Sequence, residues 1–140
     1  MSTRKIKNEK YNIEKTGKMK LTISLKGAPT DNARHIIARG QNRLIDSSKY
    51  REWKEGAIWE VKRALGAIKG WKTLVPSYTT QIPYRIKVYM ESKRTDHTNY
   101  MKGVQDVLVQ GGVFNDDKWI FPLFSPCEID VKNPRVEIEI

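Results

Sequence analysis

The chain has 140 residues, 39% hydrophobic and 30% charged, which is enough for one domain that buries a core without disulfides. No apolar run approaches the roughly 20 residues that span a bilayer, and none follows the basic N-terminus, so neither a transmembrane helix nor a secretory signal is expected. The formal net charge of +10 predicts that the protein attracts polyanions and binds them mainly through phosphate contacts.

Residues 1–18 are the most basic part of the chain. Residues 1–20 hold seven Lys or Arg against two Glu, with few apolar side chains. We therefore predict a flexible basic N-terminal arm over residues 1–18 and a folded domain over residues 19–140. Two interpretations of the arm stay open, a solubilising tail and a segment that tracks DNA.

The first folded element is a half-buried strand over residues 19–25, because apolar and polar side chains alternate there. Gly27-Ala28-Pro29 ends this strand. Residues 30–45 are rich in Arg, Asn and Gly and predict a long loop without regular structure. Loops of that length often carry function.

Residues 49–68 predict an amphipathic helix that begins after a capping serine, Ser47 or Ser48, and stops at Gly70. Its core stripe recurs at three- and four-residue steps and consists of Tyr50, Trp53, Ala57, Val61, Ala64 and Ile68. Alternating apolar residues then predict a strand over residues 82–90, in which Pro83 marks either the strand start or a sheet edge.

A second helix is predicted over residues 97–109. Its apolar residues fall within an arc of about 120°, while Asn99, Lys102 and Asp106 share the opposite side. Gly111-Gly112 ends it, and strands are expected at residues 118–121 and, as one or two final strands, at residues 129–140. The order β-α-β-α-β-β predicts an α+β fold, a two-layer sandwich with a mixed β-sheet packed on two main helices.

Acidic residues gather around this second helix in an otherwise basic chain. Asp96 precedes it, Asp106 lies on it, and Asp116-Asp117 follow it in a turn. Taken singly, each has an ordinary explanation: a helix cap, a solvated helix face, a polar turn. Their joint spacing beside Lys102 favours a divalent metal ion held against a nucleic-acid phosphate.

At these residues the sequence resembles the RusA family of Holliday junction resolvases, common in bacteria and their prophages. The family pattern has a basic strand end, Asp-x-Asp-Asn-x-x-Lys-x-x-x-Asp, a glycine-containing loop and Asp-Asp. It stands here as Lys93-Arg94-Thr95-Asp96-His97-Thr98-Asn99-Tyr100-Met101-Lys102, Asp106, Gly111-Gly112 and Asp116-Asp117. Pro29-Thr30-Asp31-Asn32 is similar to the Pro-x-x-Asn after the family's first strand. The resemblance runs from about residue 19 to the end and implies that residues 19–140 form a nuclease domain with a RusA-like fold.

The resemblance also implies roles for individual residues. The catalytic set is Asp96, Lys102 and Asp117, with Asp96 and Asp117 as ligands of Mg²⁺ (Mn²⁺ may substitute) and Asp116 as an additional ligand. Lys102 would place its ammonium group on the scissile phosphate or the leaving oxygen. Asn99 would orient a ligand, and Asp106 would hold Lys102 at the i, i+4 spacing.

Thr98 departs from the family, because it stands where the second motif carboxylate belongs. A neutral hydroxyl is a far weaker magnesium ligand than a carboxylate, so we place Thr98 beside the ligands rather than among them. Either the site works with fewer charges, helped by Asp116 or Glu91, or the protein binds junctions and cuts poorly.

The expected partner is branched DNA in the form of a four-way junction. Neither a membrane nor a small-molecule cofactor is expected as a partner. Residues expected to contact the DNA backbone are Asn32, Arg34, Arg39, Arg43, Lys93 and Arg94. Paired symmetric cuts need two equivalent sites, so the resemblance implies a homodimer, with residues 119–124 as the candidate interface.

Three functional hypotheses follow. The first is a structure-selective endodeoxyribonuclease of DNA recombination and repair, and the second is a catalytically weak junction-binding protein of phage or prophage origin. A basic RNA-binding module is less favoured, because it leaves the carboxylates unexplained. The lone Cys127 and the lack of Cys/His spacing for zinc predict a reducing cytoplasm.

Overall fold

The computed structural model describes residues 19–33, 35–37 and 44–140; the predicted arm, residue 34 and residues 38–43 lie outside the described residues. The strands are β1 (Lys20–Ser24), β2 (His35–Ile37), β3 (Leu44–Asp46), β4 (Ile82–Met90), β5 (Ile120–Phe124), β6 (Glu128–Ile129) and β7 (Arg135–Glu139). The helices are α1 (Ser48–Gly66) and α2 (Met101–Gln110), and 3₁₀ turns lie at Asp31–Ala33 and His97–Tyr100.

The main sheet is mixed and has the strand order β1-β7-β4-β5, with β6 also paired to β4. β7 pairs antiparallel with β1 and β4, whereas β5 and β6 run parallel to β4. Pro83 does mark the start of β4, but the edge alternative is wrong, because β4 has neighbours on both sides. The Ile82 N–H donates to Trp119 O on the β5 side, so the backbone of Pro83 faces the β7 side. Pairing of β4 with β7 begins only at Arg85.

The two helices cover one face of this sheet and close the core. Alternate residues of β4 are buried against Val104, Val107 and Leu108 of α2 and against Val61 of α1. The opposite face carries exposed or half-buried polar residues of β4 and β7. The α+β prediction, a two-layer arrangement of a mixed sheet and two helices, is confirmed, although three strands rather than two follow α2.

Helix α1 begins as its sequence predicts. Ser47 is the N-cap, and its side-chain oxygen accepts the Tyr50 N–H at 3.1 Å. The helix ends at Gly66, so Ile68 lies past its last turn and is 36% exposed instead of continuing the core stripe. Leu65, which the predicted stripe omits, is buried in its place.

Three other boundaries differ from the sequence predictions. Residues 30–45 are not an irregular loop, because they contain a 3₁₀ turn and the antiparallel pair β2–β3, in which Ile36 lies opposite Ile45. β-branched residues favour this pairing. The predicted second helix starts as a 3₁₀ turn before α2. β5 starts at Ile120 because Trp119 has a φ of 69°, which an extended strand cannot contain.

Candidate functional site

Asp96 occupies the N-cap position of the 3₁₀ turn that leads into α2. Its backbone is extended, with φ −70° and ψ 142°, and its C=O accepts the Asn99 N–H at 3.0 Å. The side chain makes no capping hydrogen bond and is exposed. In the described part of the chain this carboxylate has no ion-pair partner, so it is available to a ligand from solvent.

Lys102 lies in the first turn of α2, and a carboxylate from far earlier in the chain holds that turn. The Lys102 N–H donates to Asp31 Oδ2 at 3.2 Å, which satisfies one of the helix's free N-terminal amides. The Lys102 side chain is exposed. Asp31 was not predicted as a site residue: Asp is a favoured capping residue, but no sequence spacing links it to a helix 71 positions away.

Asp106 is tied to the start of α1. Its Oδ2 accepts the Tyr50 hydroxyl at 2.6 Å, a short hydrogen bond between a phenol and a carboxylate. The resemblance implied Lys102 as the partner of Asp106, whereas the hydrogen bond to Asp106 comes from Tyr50 of α1. Tyr50 was predicted only as a core residue, and its hydroxyl is the part that the apolar pattern does not reveal. Asn99 is half-buried and Thr98 exposed, both in the 3₁₀ turn.

Asp116 and Asp117 are exposed neighbours in the turn between α2 and β5. The pKa of Asp116 lies below its usual range, because the Asp117 side chain hydrogen-bonds to it and the backbone N–H groups of Asp117 and Lys118 also donate to it. The turn is anchored at the N-terminal end of β4, where Trp119 O accepts the Ile82 N–H.

The two acidic groups therefore lie at opposite ends of α2. Asp96 precedes the 3₁₀ turn before this ten-residue helix, and Asp117 follows its end; the helix alone is about 15 Å long. Within the described residues, no three His, Cys, Asp or Glu side chains are close enough to hold a metal ion. A shared Mg²⁺ needs oxygens about 2.1 Å from the ion, so the carboxylates of one chain do not fit such a metal as a set.

Basic residues surround the Asp96 end. Lys93 and Arg94 are exposed just after β4, and the Arg94 N–H donates to Ser92 Oγ at 3.3 Å. Lys102 is also exposed, and all three cations lie within six residues of Asp96 along the chain; we refer to them together as the cationic surface. Of the other DNA-binding candidates, Asn32 lies in the 3₁₀ turn next to Asp31, with its side chain outside the described residues. Arg34, Arg39 and Arg43 also lie outside them.

Comparison with known proteins gives one family. The family model described as endodeoxyribonuclease RusA matches residues 26–140, which include every described candidate residue above. A comparison with curated proteins returned no match. Among the described helices, none has both the length and the apolar character that crossing a membrane requires. Because the family model covers most of the sequence, and the resemblance of the motif around Asp96 is thereby confirmed, the chain belongs to the RusA endodeoxyribonuclease family.

Proposed function

We propose that the protein is a Holliday junction resolvase that nicks two strands of a four-way DNA junction symmetrically. Membership of the RusA family over residues 26–140 is the observation that carries this proposal. The segment that leads into α2 supports it, because an exposed carboxylate and three exposed cations lie within ten residues of sequence there. Phosphodiester cleavage needs both positive charge on the phosphate and acidic groups that act in the reaction.

Asp96, Lys102 and Asp117 are the residues that we propose to be required for cleavage. Lys102 is held by the backbone of α2, and its ammonium group can reach outward to a phosphate oxygen. The family generally depends on a divalent metal ion. We propose Mg²⁺, with Mn²⁺ able to replace it, and Asp96, Asp117 and Asp116 as its ligands, although one chain alone does not bring these three together.

The direct test uses a labelled four-way junction with and without Mg²⁺. Asp96→Asn and Asp117→Asn are expected to abolish nicking while the electrophoretic shift of the junction persists, and Lys102→Ala should slow nicking by about 100-fold or more. Glu60→Gln and Lys62→Ala, at exposed positions of α1, are matched controls that should nick normally. Undiminished nicking by Asp117→Asn would remove Asp117 from the proposed site.

Thr98 favours a second candidate function, a protein that binds junctions but cuts them weakly. Its exposed hydroxyl takes the place of the family's second carboxylate, in the same turn as Asp96. In that case the natural protein shifts the junction in an electrophoretic assay but nicks it slowly, and Thr98→Asp increases the rate of nicking. A Thr98→Asp variant that nicks no faster than the natural protein would argue against this function.

DNA binding is proposed to use the cationic surface at the end of β4. Each phosphate contact adds about 0.9 to the slope of log affinity against log salt, so Lys93→Ala with Arg94→Ala should reduce the slope by about 1.8. The double variant Lys69→Ala with Lys72→Ala removes the same charge at exposed positions after α1 and controls for net charge. Two symmetric cuts require two sites, so we also propose a homodimer; a DNA substrate and the exposed thiol of Cys127 fit a reducing cytoplasm.

A further inference from the structure

Tyr78 and Trp119 form an aromatic pair beside the turn that carries Asp116 and Asp117, which we call the acidic turn. The two ring centroids are 5.3 Å apart, and the ring planes are inclined at 66°. Tyr78 is 71% exposed, the largest exposed fraction among the large hydrophobic side chains of the described residues. Burial is what makes an aromatic ring stabilising, so a ring left mostly in water contributes little to the fold and is open to a ligand.

Backbone hydrogen bonds fix the turn that carries Tyr78 to the acidic turn. The Asn115 N–H, directly before the acidic turn, donates to Leu74 O at 3.0 Å. Ser77 and Thr80 exchange two backbone hydrogen bonds of 3.0 Å, which close the turn around Tyr78. The exposed ring is therefore held on a turn that is hydrogen-bonded internally and follows directly on this contact with the acidic segment.

Trp119 has a backbone conformation that a bulky residue disfavours. Its φ is 69°, and no other described residue except glycine has a positive φ. Such strain is concentrated at functional sites. Its C=O accepts the Ile82 N–H at 3.0 Å, which holds the strained residue against β4. Trp119 lies two residues after Asp117, so their Cα atoms are at most about 7 Å apart and one nucleotide can contact both.

Charge alone does not explain how DNA would be held at the acidic turn. Asp116, Asp117 and Lys118 have a net charge of −1, which disfavours a phosphate. The Lys118 ammonium nitrogen lies 5.0 Å from the Trp119 ring centroid, so the ring attracts this cation. A nucleobase carries no charge and stacks on an aromatic ring whatever its sequence. A base is therefore the part of DNA that the aromatic pair can hold.

We propose that the aromatic pair binds one unpaired nucleobase at the branch point of a four-way junction. Tyr78 stacks on the base, Trp119 positions the Tyr78 ring, and the nucleotide's phosphate then lies beside Asp117. This inference rests on the proposed function for the identity of the DNA. An unpaired or mismatched base costs least to remove from the stack, so the pair selects branch points that contain one.

The binding preference tests the pair without any nicking. The natural chain is titrated, in EDTA, against two fluorescent four-way junctions that differ by one unpaired thymine at the branch point. It should bind the junction with the unpaired base about 10-fold more tightly, and Tyr78→Ala and Trp119→Asn should lose this preference. Asparagine tolerates a positive φ, so Trp119→Asn removes the ring without added backbone strain. Tyr78→Phe keeps the ring and should keep the preference.

A second exposed tryptophan that faces a cation provides the matched control. Trp59 is 61% exposed on α1, and the Arg63 guanidinium carbon lies 5.4 Å from its ring centroid. Trp59→Ala should bind both junctions as the natural chain does. Because stacking releases no counterions, Tyr78→Ala should weaken binding without changing the slope of log affinity against log salt, unlike Lys93→Ala with Arg94→Ala.

Photocrosslinking locates the bound base. 5-Iodouracil replaces the unpaired thymine, the complex is irradiated in EDTA, and the crosslinked peptide is identified by mass spectrometry. The crosslink is expected at Tyr78 or Trp119. A crosslink found only elsewhere, or none, overturns the proposal. Equal affinity of the natural chain for the two junctions, or a Tyr78→Ala chain that retains the full preference, overturns it as well.

The outcomes separate this inference from the proposed function. A natural chain that crosslinks through the aromatic pair but never nicks a junction in Mg²⁺ contradicts the proposed cleavage and supports the base-binding site. A natural chain that nicks junctions, while Tyr78→Ala binds and nicks both of them equally well, contradicts the base-binding site alone. If Tyr78→Ala changes the oligomeric state in light scattering, the pair contacts protein rather than a base, and the proposal is wrong.

Discussion

Two buried tyrosines make the energy of one hydrogen bond measurable. Tyr50 and Tyr84 are both 1% exposed, and each packs near another aromatic ring. The Tyr50 hydroxyl donates to Asp106 at 2.6 Å. The Tyr84 hydroxyl is buried without a hydrogen-bond partner in the described part of the chain, and burial raises the pKa of Tyr84 to about 12, with Gln105 acting in the opposite direction.

We therefore predict opposite outcomes for the same chemical change. A hydrogen bond to a charged group contributes about 1.5–3 kcal/mol, so Tyr50→Phe should lower the free energy of unfolding by about 2 kcal/mol. Tyr84→Phe removes an unsatisfied group and should be neutral or stabilising by up to about 1 kcal/mol. At about 3 °C per kcal/mol, Tyr50→Phe should lower Tm by about 6 °C.

Urea unfolding of the two variants beside the natural chain provides the measurement. The slope of free energy against urea should stay constant, since neither substitution changes the surface exposed on unfolding. Because Tyr50 joins α1 to the helix that carries Lys102, nicking by Tyr50→Phe should also weaken at temperatures well below its Tm. Equal losses of unfolding free energy for the two variants would refute the reasoning, because they would show that the hydrogen bond to Asp106 does not contribute to stability.

Three further predictions concern stability. Gly111→Ala should lose about 2–3 kcal/mol in urea unfolding, because its Cβ would lie 2.7 Å from a backbone oxygen and from a valine methyl, whereas Gly56→Ala, in open space on α1, should gain up to about 1 kcal/mol. Asp31→Ala should lose about 1 kcal/mol by uncapping α2, and Asp31→Asn should lose less. The hydrogen bond from the Arg135 side chain is the main cause that holds the pKa of Asp130 below its usual value. This interaction stabilises the folded protein at pH values above the pKa of Asp130 in the unfolded chain, and the stabilisation is lost as the pH falls through the lower pKa of the folded state. The Tm of Asp130→Asn should therefore depend less on pH below about pH 4 and should converge there with the Tm of the natural chain.

Elements with a strict period were predictable from the sequence. β4 was predicted to the residue, because five alternate side chains are buried in one face of a central strand. α1 was predicted with its capping serine, because a local hydrogen bond from Ser47 fixes where the helix begins. The pair β2–β3 was missed, because each strand is three residues long and polar residues separate them. Short strands are stabilised by pairing rather than by any pattern of their own.

For the candidate site, the sequence likewise predicted the local features but not the long-range contacts. The motif spacing locates Asp96, Lys102 and Asp117 in sequence, but spacing along a chain does not give distances across a fold. The contacts of Asp31 with α2 and of Tyr50 with Asp106 join segments 71 and 56 residues apart, which only the tertiary structure reveals. The sequence also suggested that the two acidic segments converge, whereas α2 separates them within one chain.

That separation has an electrostatic consequence. Residues 91–102 carry three cations, Lys93, Arg94 and Lys102, against Glu91 and Asp96, a net charge of +1, while Asp116, Asp117 and Lys118 give −1. The net charge of the first surface favours a phosphate, but it has too few carboxylates to hold a divalent ion, whereas the net charge of the second favours a cation and disfavours a phosphate. Cleavage of DNA needs both properties at one place. One chain alone therefore does not present the complete charge pattern that the proposed cleavage requires.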